Sequence, residues 1–258
     1  MKDNHFNQES IFRFHTLIIA LIATLPVLAG PPFLTDDPEP VDYRHGEVYC
    51  ASQLSEANGD LSGTAPQFEV NYGLLPEVQV HAIVRLTVNS AIDPSPAYGP
   101  GDIELGVKYR LIKESASMPQ AGIFPLVELP VGDSSRGLGD GALQLFLPLW
   151  LQKSFGPWTT YGGGGYQVIV GTPSENFWWF GWEGQRDLST ILTLGSELFG
   201  VTNQPGMRGT EVGFNAGAII NLSANHHILA SAGRDIAGLN KFTSYIAYQL
   251  TVGPGDKK

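Results

Sequence analysis

The sequence predicts an all-β protein: a transmembrane, antiparallel, up-and-down β-barrel of about twelve strands. Three observations predict it. Apolar and polar residues alternate with period two along most of the chain, the mark of strands with two unlike faces. The alternating runs are mostly about 10–13 residues long, beyond the five or six of an ordinary strand and suited to a tilted strand crossing a bilayer. The composition is Gly-rich, with 31 Gly in 258 residues, yet only 16% charged, which fits a wall with half of every strand facing lipid.

The same composition excludes other classes. With 43% hydrophobic residues the chain is not disordered. Its 25 acids against 15 bases, a net charge of −10, exclude a nucleic-acid partner, which requires a basic footprint. The one cysteine, Cys50, forms no intrachain disulfide and no cysteine-based metal cluster.

Residues 1–29 read as a secretory signal peptide. Lys2 and Arg13 precede an apolar run from Leu17 to Leu28, and Ala29 ends it. The run is shorter than the roughly 20 apolar residues of a spanning helix. Residues 30–258 are then a single outer-membrane barrel domain, exported to the bacterial outer membrane with lipid and lipopolysaccharide as its surroundings.

Strands are expected near 46–54, 64–73, 77–88, 101–112, 119–130, 141–153, 157–170, 175–186, 190–199, 210–222, 226–236 and 241–252. Along 101–112, Ile103, Leu105, Val107, Tyr109 and Leu111 oppose Asp102, Glu104, Gly106, Lys108 and Arg110. A base on the lipid side at the midplane costs about 2–4 kcal/mol. The apolar face therefore meets lipid and the charged face the lumen. A soluble sandwich alternates too, with its apolar face turned inward. The connections, with 55–63 as a nine-residue outer loop, average longer on one side of the barrel than the other, as in outer-membrane barrels. An even strand number places both ends in the periplasm. Tyr72, Tyr109, Trp150, Trp158, Trp178, Trp182 and Tyr248 fall near strand ends, where interfacial girdles form.

On this topology Glu69, His81, Arg85, Glu104, Lys108, Arg110, Glu128, Glu183 and Glu197 line the lumen and are the candidate solute contacts. Both signs are present, so they serve either as a paired network that rigidifies the barrel or as a selective constriction. Gly162–Gly165 marks a bend or a place where a bulky lumen neighbour needs room; a thinned wall admitting an apolar ligand sideways is the alternative.

Catalytic readings find little. There is no G-x-S-x-G elbow, and the glycines around Gly137, Gly139 and Gly141 lack the βαβ unit of a dinucleotide site. Asp133, Asp140, Asp36 and Asp37 match no ordered calcium loop and are expected to be solvated loop acids. No cofactor, metal or catalytic residue is expected.

Several segments carry a family resemblance: GPPFLTDDPEPVDYRHGE at 30–47, FEVNYGLLP, GPGDIELGVKYRLI, FPLVELPVGDSSRGLGDG, LPLWLQKSFGPWTTYGGGGY, and SAGRDIAG with FTSYIAYQL. Together they resemble outer-membrane β-barrel proteins described as transporters or as "MetA-pathway of phenol degradation" proteins, over essentially the whole of residues 30–258. The resemblance implies passage of small, hydrophobic or aromatic compounds. With no energy-coupling motif, passive diffusion is the expected mechanism. A lipid-modifying barrel enzyme and a structural barrel with a plugged lumen are the alternatives; solute identity and oligomeric state stay open.

Overall fold

The first strand pairs with the last, Gly46 opposite Val252 and Glu56 opposite Phe242, so one antiparallel sheet closes on itself. The computed structural model describes residues 31–91, 95–172, 175–202 and 209–254. The segments are Gly46–Ala57 (β1), Asp60–Leu75 (β2), Val78–Asn89 (β3), Ala97–Pro100 (β4), Ile103–Ile112 (β5), Gln120–Ile123 (β6) and Leu126–Leu129 (β7). They continue as Gln144–Phe155 (β8), Trp158–Ile169 (β9), Phe177–Asp187 (β10), Leu192–Thr202 (β11), Thr210–Asn221 (β12), His226–Ala237 (β13) and Phe242–Val252 (β14). These make twelve barrel strands, because β4 with β5, and β6 with β7, are each one strand interrupted. The second break falls at Phe124-Pro125, where the proline has no N–H to give the ladder. Proposed residues 1–29 lie outside the described part of the chain.

Burial is inverted relative to a soluble sheet. On β2, Phe68, Val70 and Tyr72 are 46%, 47% and 41% exposed, while the intervening Gln67, Glu69 and Asn71 are 6%, 6% and 5% exposed. Apolar side chains look outward and polar ones inward, which is the arrangement of a wall that faces lipid. Tyr72, Tyr109, Trp158, Trp178, Trp182 and Tyr248 are all exposed on that outer surface.

Three sequence expectations require correction. The connection expected at 55–63 is a two-residue turn, Asn58-Gly59, with β1 and β2 extending to meet it. Asn58 has φ 56° and Gly59 φ 91°, the left-handed pair that Asn-Gly supplies to a tight hairpin. Trp150 is no girdle residue but points inward and is 2% exposed. Asp36 and Asp37 are not solvated loop acids: Asp37 is fully buried, because residues 31–45 enter the barrel.

That entry has a hinge point at Gly73. Arg44 N–H donates to the Gly73 carbonyl at 2.7 Å, and Gly73 N–H to the His45 carbonyl at 3.0 Å. A Cβ at Gly73 would stand 2.0 Å from the Asp42 carbonyl, so only glycine lets the segment turn in over the barrel rim. Beyond it Pro31, Pro32, Pro38 and Pro40 restrict the backbone of the segment, whose first five described residues are turn and bend.

Candidate functional site

Two kinds of wall surround the lumen. On β8–β10 the inner face is aromatic: the Trp150 and Trp179 rings lie 5.6 Å apart, and Phe146 is 6.5 Å and 6.4 Å from them. The glycine run on β9 makes this possible. A Cβ on Gly163 would meet the Leu149 carbonyl at 2.0 Å, and one on Gly165 the Phe146 ring at 2.6 Å. On the outer face Gly162 and Gly164 lie beneath Trp182 and Phe180. Bulky neighbours on both faces thus account for the run, as the sequence reading of a crowded lumen anticipates.

The neighbouring wall, β2 to β7, is ionic, and all nine candidate residues, Glu183 and Glu197 on β10 and β11 among them, face inward. A chain of contacts crosses four segments. Asn71 Nδ2 donates to Glu69 at 2.8 Å. His81 bridges Asn71 Oδ1 at 2.6 Å and Glu104 Oε1 at 3.0 Å. Arg85 then reaches Glu104 at 3.5 Å and Glu128 at 3.0 Å. Every member except Asn71 is charged or chargeable, and pairing is what lets such groups be buried.

The remaining candidates hold the N-terminal segment. Lys108 Nζ lies 2.9 Å from Asp36 and 3.5 Å from Asp37, and 5.0 Å above the Phe124 ring. Arg110 binds Glu39 at 3.2 Å and Glu77 at 2.6 Å. Burial would raise the Glu77 pKa, but its bonds to Arg110 and Lys113 outweigh that and lower it. Across the lumen, Glu197 accepts from the backbone N–H of Leu34 at 2.9 Å and of Thr35 at 2.8 Å. It also accepts from the Thr35 hydroxyl and from Asn215 Nδ2, each at 2.6 Å. Glu183 stands directly opposite Glu197 in the β10–β11 register and is fully buried.

Asp37 is the segment's perturbed group. Burial pushes its pKa up to about 8, against the attraction of Lys108. Sequence reasoning missed residues 31–45 as a lumen element. The signal present was Asp36-Asp37 set among four prolines, an acidic strip matched to the inward bases.

The segment lines two cavities. One, of about 1170 Å³, is bounded by Phe33, Asp36, Glu47, Glu69, His81 and Lys108 among others. The other, of about 320 Å³, lies between Glu39, Arg110 and Gln152. Asp102, Glu128 and Asp140 also converge within 4.8 Å. Each is already engaged: Asp102 by the N–H groups of Gly132 and Asp140, Glu128 by Arg85, and Asp140 by Gln144. The loop 130–143 is thereby drawn against the inner wall, with Leu138 buried over Gly99 and Gly101.

A closed, twelve-stranded antiparallel wall with an apolar outside and a polar lumen is the fold of bacterial outer-membrane β-barrels. Comparison with solved structures agrees. The COG4313 outer membrane channel from Pseudomonas putida F1 matches with a TM-score of 0.64 and 18% identity, over 87% of this chain and 100% of that one. The NanC porin matches with a TM-score of 0.58 and 6% identity, over 79% of this chain and 98% of that one. The KdgM porin, in complex with disordered oligogalacturonate, matches at 0.57 and 8%, over the same shares. No family model matches the chain, and no curated protein is similar to it. At these identities the likeness establishes the fold.

Proposed function

We propose that this protein is an outer-membrane channel for the passive passage of small, hydrophobic or aromatic compounds, narrowed from within by its own N-terminal segment. The observation that carries the reading is the cavity of about 1170 Å³ enclosed by a lipid-facing wall. Twelve strands lie between the side-chain-filled eight and the open sixteen to eighteen, so a narrow conduit suits the size. Apolar surface inside supports the solute class: Pro31, Phe33, Ile83, Phe124 and Leu126 all line the cavity. The nine inward residues act as the polar frame past which such a solute moves. Residues 1–29 would direct export and be removed; the start of β1 and the end of β14 share one rim, Gly46 beside Val252, and that rim would face the periplasm.

The rival reading is a structural barrel closed by its plug, and the Glu197 and Lys108 anchors favour it. Planar-bilayer recording of refolded protein separates the two. Discrete openings that phenol reversibly reduces support passage. Silence in the bilayer, with no solute flux into liposomes, overturns it. Hydrolysis of phospholipid by the pure protein would establish the enzyme alternative instead.

A further inference from the structure

The inner wall carries more acid than base. Among the described residues the three inward bases on strands are Arg85, Lys108 and Arg110, and each already touches two carboxylates. None forms a close ion pair with Glu47, which is 5% exposed and lines the large cavity; Lys108 attracts it only from farther away. Its recorded partner is a neutral one, the Tyr49 hydroxyl, which donates to Oε2 at 2.6 Å.

The surroundings of Glu47 hold further polar groups without partners. Thr251 is directly opposite it on β14, and Gln249 opposite Tyr49. His227 is the cross-strand partner of Gln249 on β13. Directly opposed residues have their Cβ atoms about 4.5–5.5 Å apart, so these side chains form one patch near the chain termini. Asn221 fixes the histidine's orientation. Its Nδ2 donates to the Thr190 carbonyl at 3.2 Å, so its Oδ1 faces His227 Nδ1 at 2.8 Å. An amide oxygen only accepts, so Nδ1 carries the proton and Nε2 presents a lone pair. That Nε2 is buried, belongs to a residue 5% exposed, and has no hydrogen-bond partner. The Thr251 hydroxyl and the Gln249 side-chain amide are likewise unpartnered. His227 and Thr251 both line the cavity.

We propose that this patch, where β1, β13 and β14 meet, binds the primary ammonium group of a small organic cation. A carboxylate with no close ion-pair partner supplies the charge, and the His227 Nε2 lone pair, with the Thr251 and Gln249 oxygens, receives the N–H donors. An ammonium group has three donors and no acceptor, the complement of this set. An anionic solute of the same size is repelled by the Glu47 carboxylate. The site goes beyond the channel reading and does not depend on it, since it concerns binding at the wall rather than passage.

Isothermal titration of folded protein in detergent micelles with butylammonium, and separately with butyrate, tests the site. Saturable binding of butylammonium alone is expected. E47Q, which keeps an oxygen for the Tyr49 hydroxyl, should weaken it at least tenfold, about 1.4 kcal/mol. His227→Phe, which removes the lone pair and keeps a ring, should weaken it severalfold. E56Q, at the other end of β1, should bind as wild type. Heat-modifiable mobility on gels verifies that each variant is folded, and His227→Phe carries the test if E47Q is not. Absence of butylammonium binding, equal binding of butyrate, or binding indifferent to both site substitutions overturns the proposal. A protein that binds butylammonium but opens no channel overturns the conduit reading and leaves this one standing.

Discussion

Lys108 Nζ sits 2.9 Å from Asp36 Oδ1, joining two residues 72 positions apart in the chain. The contact ties an N-terminal strip to the middle of the barrel wall. Removing the base leaves two acids in a buried site, and breaking such a pair costs on the order of 3–5 kcal/mol. Lys108→Met should therefore unseat residues 31–45 while leaving the barrel closed. A spin label on cysteine at position 39, in place of Glu39, should change from an immobilised to a mobile spectrum. An unchanged spectrum would show that Lys108 is dispensable and that the contacts to Glu197, Ser231, Gln79 and Gly73 suffice to seat the segment.

Seating should also respond to pH through Asp37. A free aspartate titrates near 3.9, whereas in the seated segment burial raises Asp37 to about 8. Between those values the seated form holds a proton that the released form has lost. Seating is therefore strongest at low pH, weakens as pH climbs through this window, and levels off above about 8. The same label should report more release at pH 8.5 than at pH 5.5. Asp37→Asn should flatten the profile, and a profile of opposite slope would refute the assignment.

Leu105 and Val107 point outward beside inward Glu104. Arginine at either outer position should cost about 2–4 kcal/mol at the bilayer midplane and sharply reduce membrane assembly. Glu104→Gln, which disturbs only the ionic chain, should still assemble. Equal yields of folded protein from all three would contradict the orientation of the wall.

At Gly163 a methyl group would meet the Leu149 carbonyl at 2.0 Å and the Trp150 ring at 3.1 Å. The backbone of the neighbouring strand cannot yield as a flexible side chain would. Gly163→Ala should destabilise the barrel by about 1–3 kcal/mol, the usual range for overpacking, read as a lower unfolding midpoint in urea. Gly184→Ala, where nothing lies within 4 Å, is the control.

Period-two alternation made the wall legible. All nine inward charges, and the outward Phe68, Val70 and Tyr72, follow from strand geometry alone, because successive side chains must point to opposite faces. The Asn58-Gly59 turn was equally readable from its dipeptide, but hidden by the polar residues on both sides of it. Trp150 was harder. Alternation places it inward, while its position near a strand end resembles a girdle residue, and only the glycines opposite reveal room for its ring. Residues 31–45 have no periodic pattern at all. Their place is set by partners far away in sequence, Glu197, Lys108, Arg110 and Gly73, which a reading of local pattern does not connect.

The central claim is that a conducting lumen exists and that residues 31–42 narrow it. Single-channel conductance of the refolded protein, compared with a form lacking residues 31–42, tests this most directly. Small openings are expected in the intact protein and clearly larger ones in the shortened form. Equal conductance in the two, or no openings in either from protein verified as folded, would contradict it.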